Sequence, residues 1–320
     1  MLMLKFKSVP NTELKTAPLI FGGNVFGWTI DEKTSFQILN AFIDKGFNMI
    51  DTADIYSRWA PGNVGGESEK IIGKWLSDVK SRDKIIIATK AGMDMGEGKV
   101  GLKAAYLKSA VEQSLRNLKT DYIDLFQSHQ DDPETAQDET LRAYDELIQA
   151  GKIRYIGASN FTADRLQEAS EIARSQQLQP YRTLQPYYNL YMREKFEGEL
   201  QNTCAELQLA VIPYFSLESG FLTGKYRSTA DLQKSIRGGR FANHFNERGM
   251  RILSALDALS AAHNTTPAAI ALAWLLKQET ILAPIASATS VTQLNELLAV
   301  ADINLNTDEI RLLNLVSASS

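Results

Sequence analysis

Eight short apolar runs recur along the chain, and between them the hydrophobic period changes from that of a strand to that of a helix. The runs are LIFGG (19–23), NMIDT (48–52), KIIIATK (84–90), YIDLFQSH (122–129), IRYIGAS (153–159), RTLQPYY (182–188), AVIPYF (210–215) and ILAPIA (281–286). Each is near-continuous in Ile, Leu and Val, as strands covered on both faces must be. Helical stripes separate them. Phe36, Leu39 and Ile43 share a face, with Gly46 placed to end that helix. Leu107, Val111, Leu115 and Leu118 form another stripe, and Leu141, Tyr144 and Ile148 a third, before Gly151. Strands alternating with helices favour a parallel sheet, and eight strands are the number that closes a (β/α)8 TIM barrel. The fold class expected is therefore α/β, a single barrel domain over 1–320. Residues 4–16 read as an N-terminal hairpin, and 290–316 as one or two extra C-terminal helices. No shift of composition marks a linker.

Composition narrows the function classes. With 44% apolar and 22% charged residues, a chain of 320 can bury a sizeable core without metals or cross-links. A formal charge of −4 carries no footprint for nucleic acid or a membrane surface. Cys204 is the single cysteine, which excludes an internal disulfide and fits a reducing compartment; it lies in a helical pattern, where packing is its expected role. The start, MLMLKFKSV, is broken by Lys5 and Lys7, so it lacks the run of a signal peptide, and no stretch is long and apolar enough to span a bilayer. A cytoplasmic protein is expected, and the sequence specifies no oligomeric state.

Four side chains stand where apolar runs end: Asp51 and Tyr56 in NMIDTADIY, Lys90 in KIIIATK and His129 in YIDLFQSH. Each alone is ordinary: a turn residue, a rim aromatic, a solvated charge, a packed histidine. In a barrel, however, the C-terminal strand ends converge on one mouth. There an acid, a phenol, an amine and an imidazole complement one another. A cation favours the phenolate, an aspartate holds the cation charged and oriented, and the imidazole can donate to the same carbonyl oxygen. Nothing in the set is a nucleophile, and the three histidines are too scattered to suggest a metal site.

Two further signals are weaker. Gly96-Glu97-Gly98-Lys99-Val100-Gly101 matches the dinucleotide fingerprint in form, but five residues separate it from Lys90, so it reads as a loop rather than a strand-to-helix turn. The gap between the seventh and eighth runs is about twice the others. From Ser216 to Arg251 it holds seven Lys or Arg against three Asp or Glu, which suits a flap over an anionic ligand.

These residues resemble the aldo-keto reductase family over almost the whole chain. SVPNTELKTAPLIFGG resembles its opening hairpin and first strand, FNMIDTADIYS its Asp-plus-Tyr motif, KIIIATK its lysine and YIDLFQSHQDD its histidine motif. KIRYIGASNF, LQPYYNL, PYFSLESGFLTGKY and ALAWLL follow in the family's order. The resemblance implies an NAD(P)H-dependent oxidoreductase that interconverts aldehydes or ketones and alcohols, with the cofactor bound extended and without a Rossmann domain. Tyr56 would be the general acid, Lys90 would lower its pKa, Asp51 would pair with Lys90, and His129 would orient the carbonyl. Ser159, Asn160 and Gln185 would hold the nicotinamide carboxamide, and Tyr214 would stack on its ring. Leu217, Ser219, Gly220 and Lys225 would wrap the pyrophosphate. The family's PYSPL appears as PYFSL, with Phe215 and Ser216 in altered places. After the last strand, ILAPIASATSVTQLNELL has no Lys or Arg, where members preferring the phosphorylated cofactor carry base. Ser287, Thr289, Ser290 and Gln293 stand there instead. The family favours NADP, and NAD is also compatible. Trp28, Arg58 and Trp59 would line the pocket of a small-molecule carbonyl substrate.

The resemblance also admits a different class: a cofactor-binding regulatory subunit of the channel β-subunit type, with little turnover. A barrel lyase or isomerase fits less well, because there is no metal cluster and no phosphate-holding glycine pair in the late loops.

Overall fold

The computed structural model describes residues 4–79, 82–234 and 238–318. An antiparallel pair, β1 (Lys7–Ser8) and β2 (Lys15–Thr16), precedes eight parallel strands. These are β3 (Ile20–Gly22), β4 (Met49–Asp51), β5 (Ile86–Ala91), β6 (Ile123–Ser128), β7 (Ile153–Ser159), β8 (Thr183–Gln185), β9 (Ala210–Val211) and β10 (Ile285–Ala286). They run in the order β10-β3-β4-β5-β6-β7-β8-β9, so each strand lies beside its sequence neighbour and β10 returns to β3. Val211 in β9 pairs in parallel with Ile281, and its N–H and C=O bond to Thr280 O (3.0 Å) and Leu282 N (2.8 Å). Those bonds join the last edge to the chain entering β10 and close the ring. The eight expected strands are all present, which makes this the (β/α)8 barrel that the alternation requires.

Strand alternation decides what faces the barrel axis. In β5, Ile86 and Ala88 pack inside the barrel while Ile87 and Ala91 join the helix-facing core. Lys90 lies on the inward set. In β4, Met49 is inward and Ile50 outward, so Asp51 is inward too. Apolar residues fill the lower barrel, where Val9 and Leu14 of the hairpin join Ile20, Leu125 and Ile212 and seal that end. Polar groups therefore collect at the other end.

The helices between β3 and β9 are α1 (Glu32–Asp44), α2 (Glu67–Asp78), α3 (Ala104–Leu118), α4 (Gln137–Gln149), α5 (Ala163–Gln176) and α6 (Glu199–Glu206). Stripe Leu107–Leu118 is buried as expected. On α1 the buried face is Ser35, Ile38, Leu39 and Phe42, with Phe36 and Ile43 at its edge. On α4, Leu147 is buried where Ile148 was expected. An apolar stripe is wider than one row of side chains, so periodicity finds the helix before it finds the centre of its face. Gly46, at φ 86°, closes α1 with a bond from its N–H to Ile43 O (2.8 Å).

The long connection after β9 carries 3-10 turns at Glu218–Thr223, Thr229–Lys234 and Gly238–His244, then α7 (Glu247–Ala262) and α8 (Pro267–Leu276). Residues 235–237 of the expected flap, and the side chains of Lys234 and Arg240, lie outside the described residues. Beyond β10 come α9 (Val291–Leu298) and α10 (Thr307–Ser317), two helices where the sequence reads one or two. Among the described residues no helix is long and apolar enough to cross a membrane.

Gly73 sits where α2 meets α3: a Cβ there would lie 2.1 Å from Asn117 O and 2.7 Å from the Leu118 carbonyl carbon. Backbone cannot rotate away as a side chain can, so Gly73→Ala should destabilise the fold by about 1–3 kcal/mol. Urea denaturation would register this as a lower midpoint at unchanged slope; an unchanged midpoint would mean the two helices part freely.

Candidate active site

The C-terminal ends of the parallel strands present one polar residue after another to the same mouth. Asp51 ends β4, Lys90 is the penultimate residue of β5, His129 follows β6, Ser159 ends β7 and Gln185 ends β8. The tight centre is Asp51. Lys90 Nζ donates to both its oxygens (2.9 and 2.8 Å) and to Thr52 O (2.7 Å). Gln185 Nε2 reaches across the barrel to Oδ1 (2.9 Å), Gln127 Nε2 approaches it at 3.4 Å, and the Tyr56 hydroxyl donates to Oδ2 (3.3 Å). Lys90 and Asp51 are both fully buried.

The turn after β4 folds Tyr56 back over this pair, so that Lys90 Nζ lies 4.7 Å from the centre of its ring. His129 flanks the same ring, at 6.0 Å between centroids. All four expected residues are thus together. Lys90 makes no hydrogen bond to the phenol, whose partner is the Asp51 carboxylate. Burial of the phenol and the charge of Asp51 push its pKa well above the usual value, so the resting tyrosine holds its proton. Burial likewise pulls the Lys90 amine down against the pull of Asp51. Burial and the nearby Lys90 charge push the His129 imidazole well below its usual value, so it is neutral at pH 7 and its Nδ1 is buried without a partner.

Beyond the centre, Ser159 Oγ donates to Gln185 O (2.9 Å), and Asn160 Nδ2 donates to His129 O (3.0 Å) and Ser159 Oγ (3.1 Å). The Tyr214 hydroxyl donates to Asn160 Oδ1 (2.9 Å). The structure therefore links Ser159, Asn160, Gln185 and Tyr214 by hydrogen bonds to Asp51 and His129. Asn160 is left-handed (φ 57°), a conformation asparagine tolerates.

Leu217, Ser219, Gly220 and Lys225 lie on the loop after Tyr214. Phe215 (φ 52°), Glu218 (φ 48°), Ser219 (φ 55°) and Gly220 (φ 108°) are all left-handed, and the non-glycine members carry strain there. Ser216, altered from the family motif, donates to Pro213 O (3.0 Å) and helps hold the turn. Of the basic residues in this stretch, Arg227 pairs with Asp257 and Arg251 with Glu247, while Arg248 caps the carbonyls of Tyr191 and Ser317. Lys225 forms no ion pair among the described residues. Ser287 follows β10 and donates to Asn24 Oδ1 (2.6 Å) in the loop after β3. Thr289 donates through N–H and hydroxyl to Gln293 Oε1, while Ser290 caps α9.

At the rim, Trp28 and Trp59 meet edge to face (5.4 Å), and Trp59 also meets Tyr56 (6.0 Å). Arg58 is exposed and donates to Asp94 O (3.4 Å), bridging the loops after β4 and β5. Gly96, Gly98 and Gly101 are left-handed residues of that second loop and start no helix, as expected. Cys204 is buried, and burial pushes its thiol up to about 12. Among the described residues no cluster could hold a metal ion.

Several site residues escaped the sequence reading. Gln127 shares the inward face of Leu125, so strand alternation could have found it. Asp54 has one buried oxygen without a partner, and its other oxygen accepts from Tyr106 (3.4 Å). Burial, reinforced by the charge of nearby Glu69, pushes its carboxyl up to about 8. Glu218 is buried and accepts from Tyr187 and Asn189 in the loop after β8 and from His244, 26 residues further along its own connection. No local pattern announces it.

A barrel whose mouth gathers a tyrosine, a lysine–aspartate pair and a neutral histidine belongs among the α/β-barrel enzymes. The sequence profile described as the Aldo/keto reductase family matches residues 18–317, and the chain belongs to that family. It is 32% identical to the "Uncharacterized oxidoreductase YrpG" of Bacillus subtilis over 97% of this chain and 95% of that one. It is also 32% identical to "Aldo-keto reductase YhdN" of the same organism, over 98% and 93%. Norsolorinic acid reductase A of Aspergillus parasiticus is 29% identical over 94% of this chain and 78% of its own.

Removing one partner of a buried ion pair strands the other. Lys90→Met should therefore cost about 3–5 kcal/mol of stability, and the double variant Asp51→Asn, Lys90→Met should recover most of it. Denaturant titration of the three proteins measures this; equal losses in single and double variants would deny the coupling. Asp54 gives a pH signature. Between about pH 4 and 8 the folded chain keeps the Asp54 proton that the unfolded chain has lost, so this group removes stability as pH rises through that window. Asp54→Asn should accordingly gain on the wild type from pH 4 to 8, and a constant difference would contradict it.

Proposed function

We propose that this protein is a nicotinamide-dependent carbonyl reductase acting on aldehydes or ketones, with Tyr56 as the proton donor. The observation that carries the reading is the buried Asp51–Lys90 pair with half-buried Tyr56 above it and neutral His129 beside it, at the mouth of a barrel whose family is aldo/keto reductase. The residues around it fit a dinucleotide. Amide and hydroxyl groups of Ser159, Asn160 and Gln185 suit a carboxamide, the partly exposed ring of Tyr214 suits an aromatic face, and Lys225, with no carboxylate partner among the described residues, supplies a cation next to Gly220. A Cβ at Gly220 would fall 3.4 Å from the Tyr226 ring and 3.7 Å from Lys225 Cε, so the glycine keeps the loop's inner surface open. Ser287, Thr289 and Gln293 would lie toward the adenosine end, where hydroxyl and amide groups accept either a ribose hydroxyl or a phosphate; NADPH and NADH are both compatible.

A bound reduced nicotinamide supplies the hydride. The protein's residues manage the oxygen. His129, held neutral, donates a hydrogen bond to the carbonyl oxygen without carrying charge into the site. Tyr56 passes its proton to the oxygen as alkoxide character develops. The phenol keeps its proton in the resting state, and an alkoxide, the stronger base, can take it. Lys90, close to the ring, stabilises the phenolate formed, and Asp51 keeps Lys90 charged despite burial. Trp28, Trp59 and Arg58 form the substrate side of the mouth.

The test is nicotinamide absorbance with NADPH and with NADH against an aromatic aldehyde, on wild type and Tyr56→Phe. Tyr56→Phe should lose at least about 100-fold in turnover while cofactor affinity, read by tryptophan fluorescence, is unchanged. A variant as fast as wild type would remove Tyr56 from the chemistry. Wild type that binds both cofactors and consumes neither would favour the regulatory-subunit reading.

A further inference from the structure

We propose that Glu218 is a positioning residue for the nicotinamide site, acting through Tyr187 to fix the ring of Tyr214. The proposal rests on the reading above, in which Tyr214 faces the nicotinamide. Glu218 is a buried carboxylate, and among the described residues no lysine or arginine pairs with it. The Tyr187 hydroxyl lies 2.6 and 2.8 Å from its two oxygens, Asn189 Nδ2 donates at 2.6 Å, and His244 Nε2 stands at 2.9 Å. A carboxylate removed from water needs donors, and here a phenol, an amide and an imidazole from two other segments supply them. The donors are in turn held where the carboxylate is.

What is held matters for Tyr214. The ring of Tyr187 stacks on that of Tyr214 at 5.4 Å between centroids and 29° between planes. The two residues are also bridged in parallel through the backbone, where Tyr214 N–H bonds to Pro186 O (3.0 Å). The far end of Tyr214 is tied to Asn160, and Asn160 to His129 O. One face of Tyr214 is thus supported by a ring whose own orientation is set by Glu218, and its tip is set by the group beside the catalytic histidine. The same carboxylate sits inside the left-handed stretch of the loop at φ 48°, so its bonds also oppose relaxation of that turn. Through His244, which stacks on Tyr191 at 3.9 Å, the segment Gly238–His244 is fastened to the same point.

A positioning role and a merely structural one differ in which part of the ligand they affect. Loosening the whole loop weakens every contact to the dinucleotide, whereas disordering Tyr214 weakens only the nicotinamide end. The experiment measures dissociation constants by tryptophan fluorescence for NADH and NADPH, and for ADP-ribose and its 2′-phosphate, which lack the nicotinamide. Proteins compared are wild type, Glu218→Gln, Tyr187→Phe and Tyr214→Ala. Tyr187→Phe removes a single oxygen and keeps the ring, so it remains informative if Glu218→Gln folds poorly. Tyr187→Phe and Glu218→Gln should bind the dinucleotides about tenfold more weakly, the size of a lost charged hydrogen bond, and the ADP-ribose ligands within about twofold of wild type. Equal weakening of both ligand types, or weakening of neither, would overturn the proposal. Tyr214→Ala separates it from the underlying reading. If that variant loses nicotinamide-dependent affinity while Tyr187→Phe does not, the positioning role alone fails. If Tyr214→Ala binds like wild type, Tyr214 does not face the nicotinamide and both fall.

Discussion

A lysine buried to the last atom must find its counter-charge inside the protein, and in this barrel that requirement organises the mouth. Lys90 places its three donors on Asp51 and Thr52 O, and Asp51 then collects Gln127, Gln185 and Tyr56 as well. The carboxylate is therefore where β4, β5, β6 and β8 meet at the top of the barrel. Low polarity around it strengthens each of these bonds and makes each expensive to leave unmade. The pair contributes less to net stability than to geometry, since desolvation offsets much of its attraction. Its consequence is a phenol held at a fixed place over a fixed cation.

The rest of the barrel keeps that pair dry and in register. Apolar residues of the inward faces fill the lower barrel, and the hairpin closes its base with Val9 and Leu14. The helices bury the outward faces in a second, larger core. Because all eight strands run the same way, a polar residue at a C-terminal end has no choice but to join the mouth. Function then follows from which residues end the strands, and the loops beyond them add an aromatic rim on one side and a strained loop with a lone lysine on the other.

Two kinds of preorganisation coexist. Around Asp51 the donors include a full positive charge, whereas around Glu218 the donors are a phenol, an amide and an imidazole. The first fixes the Tyr56 hydroxyl, and the second fixes the ring of Tyr187 that stacks on Tyr214. Tyr214 and Asn160 connect them through a continuous path of contacts, so that loops after β6, β7, β8 and β9 are mutually held. Carbonyl reduction is served by such rigidity, because reacting groups held in one geometry avoid the cost of bringing them together.

Local pattern was enough for much of this. Eight apolar runs, their helical spacers and the order of motifs are read within windows of a few residues, and the strands, the hairpin, the two last helices and the meeting of Asp51, Tyr56, Lys90 and His129 all follow from them. Periodicity also located α1 and α4, though it put Phe36, Ile43 and Ile148 where Ser35, Ile38, Phe42 and Leu147 lie deepest. Other features depend on residues distant in the chain. Gln185 bonds to a carboxylate 134 positions away, Asp54 is perturbed by Glu69 and Lys90, and Glu218 finds its donors in the loops after β8 and β9. The partners of Tyr56 are likewise set in three dimensions: its hydroxyl bonds to Asp51, and burial with that carboxylate pushes its pKa up. A sequence determines periodicity and residue type, because these need only near neighbours. Desolvation and the choice of partner for a buried charge are decided by packing, because they depend on every group within a few ångströms, whatever its place in the chain.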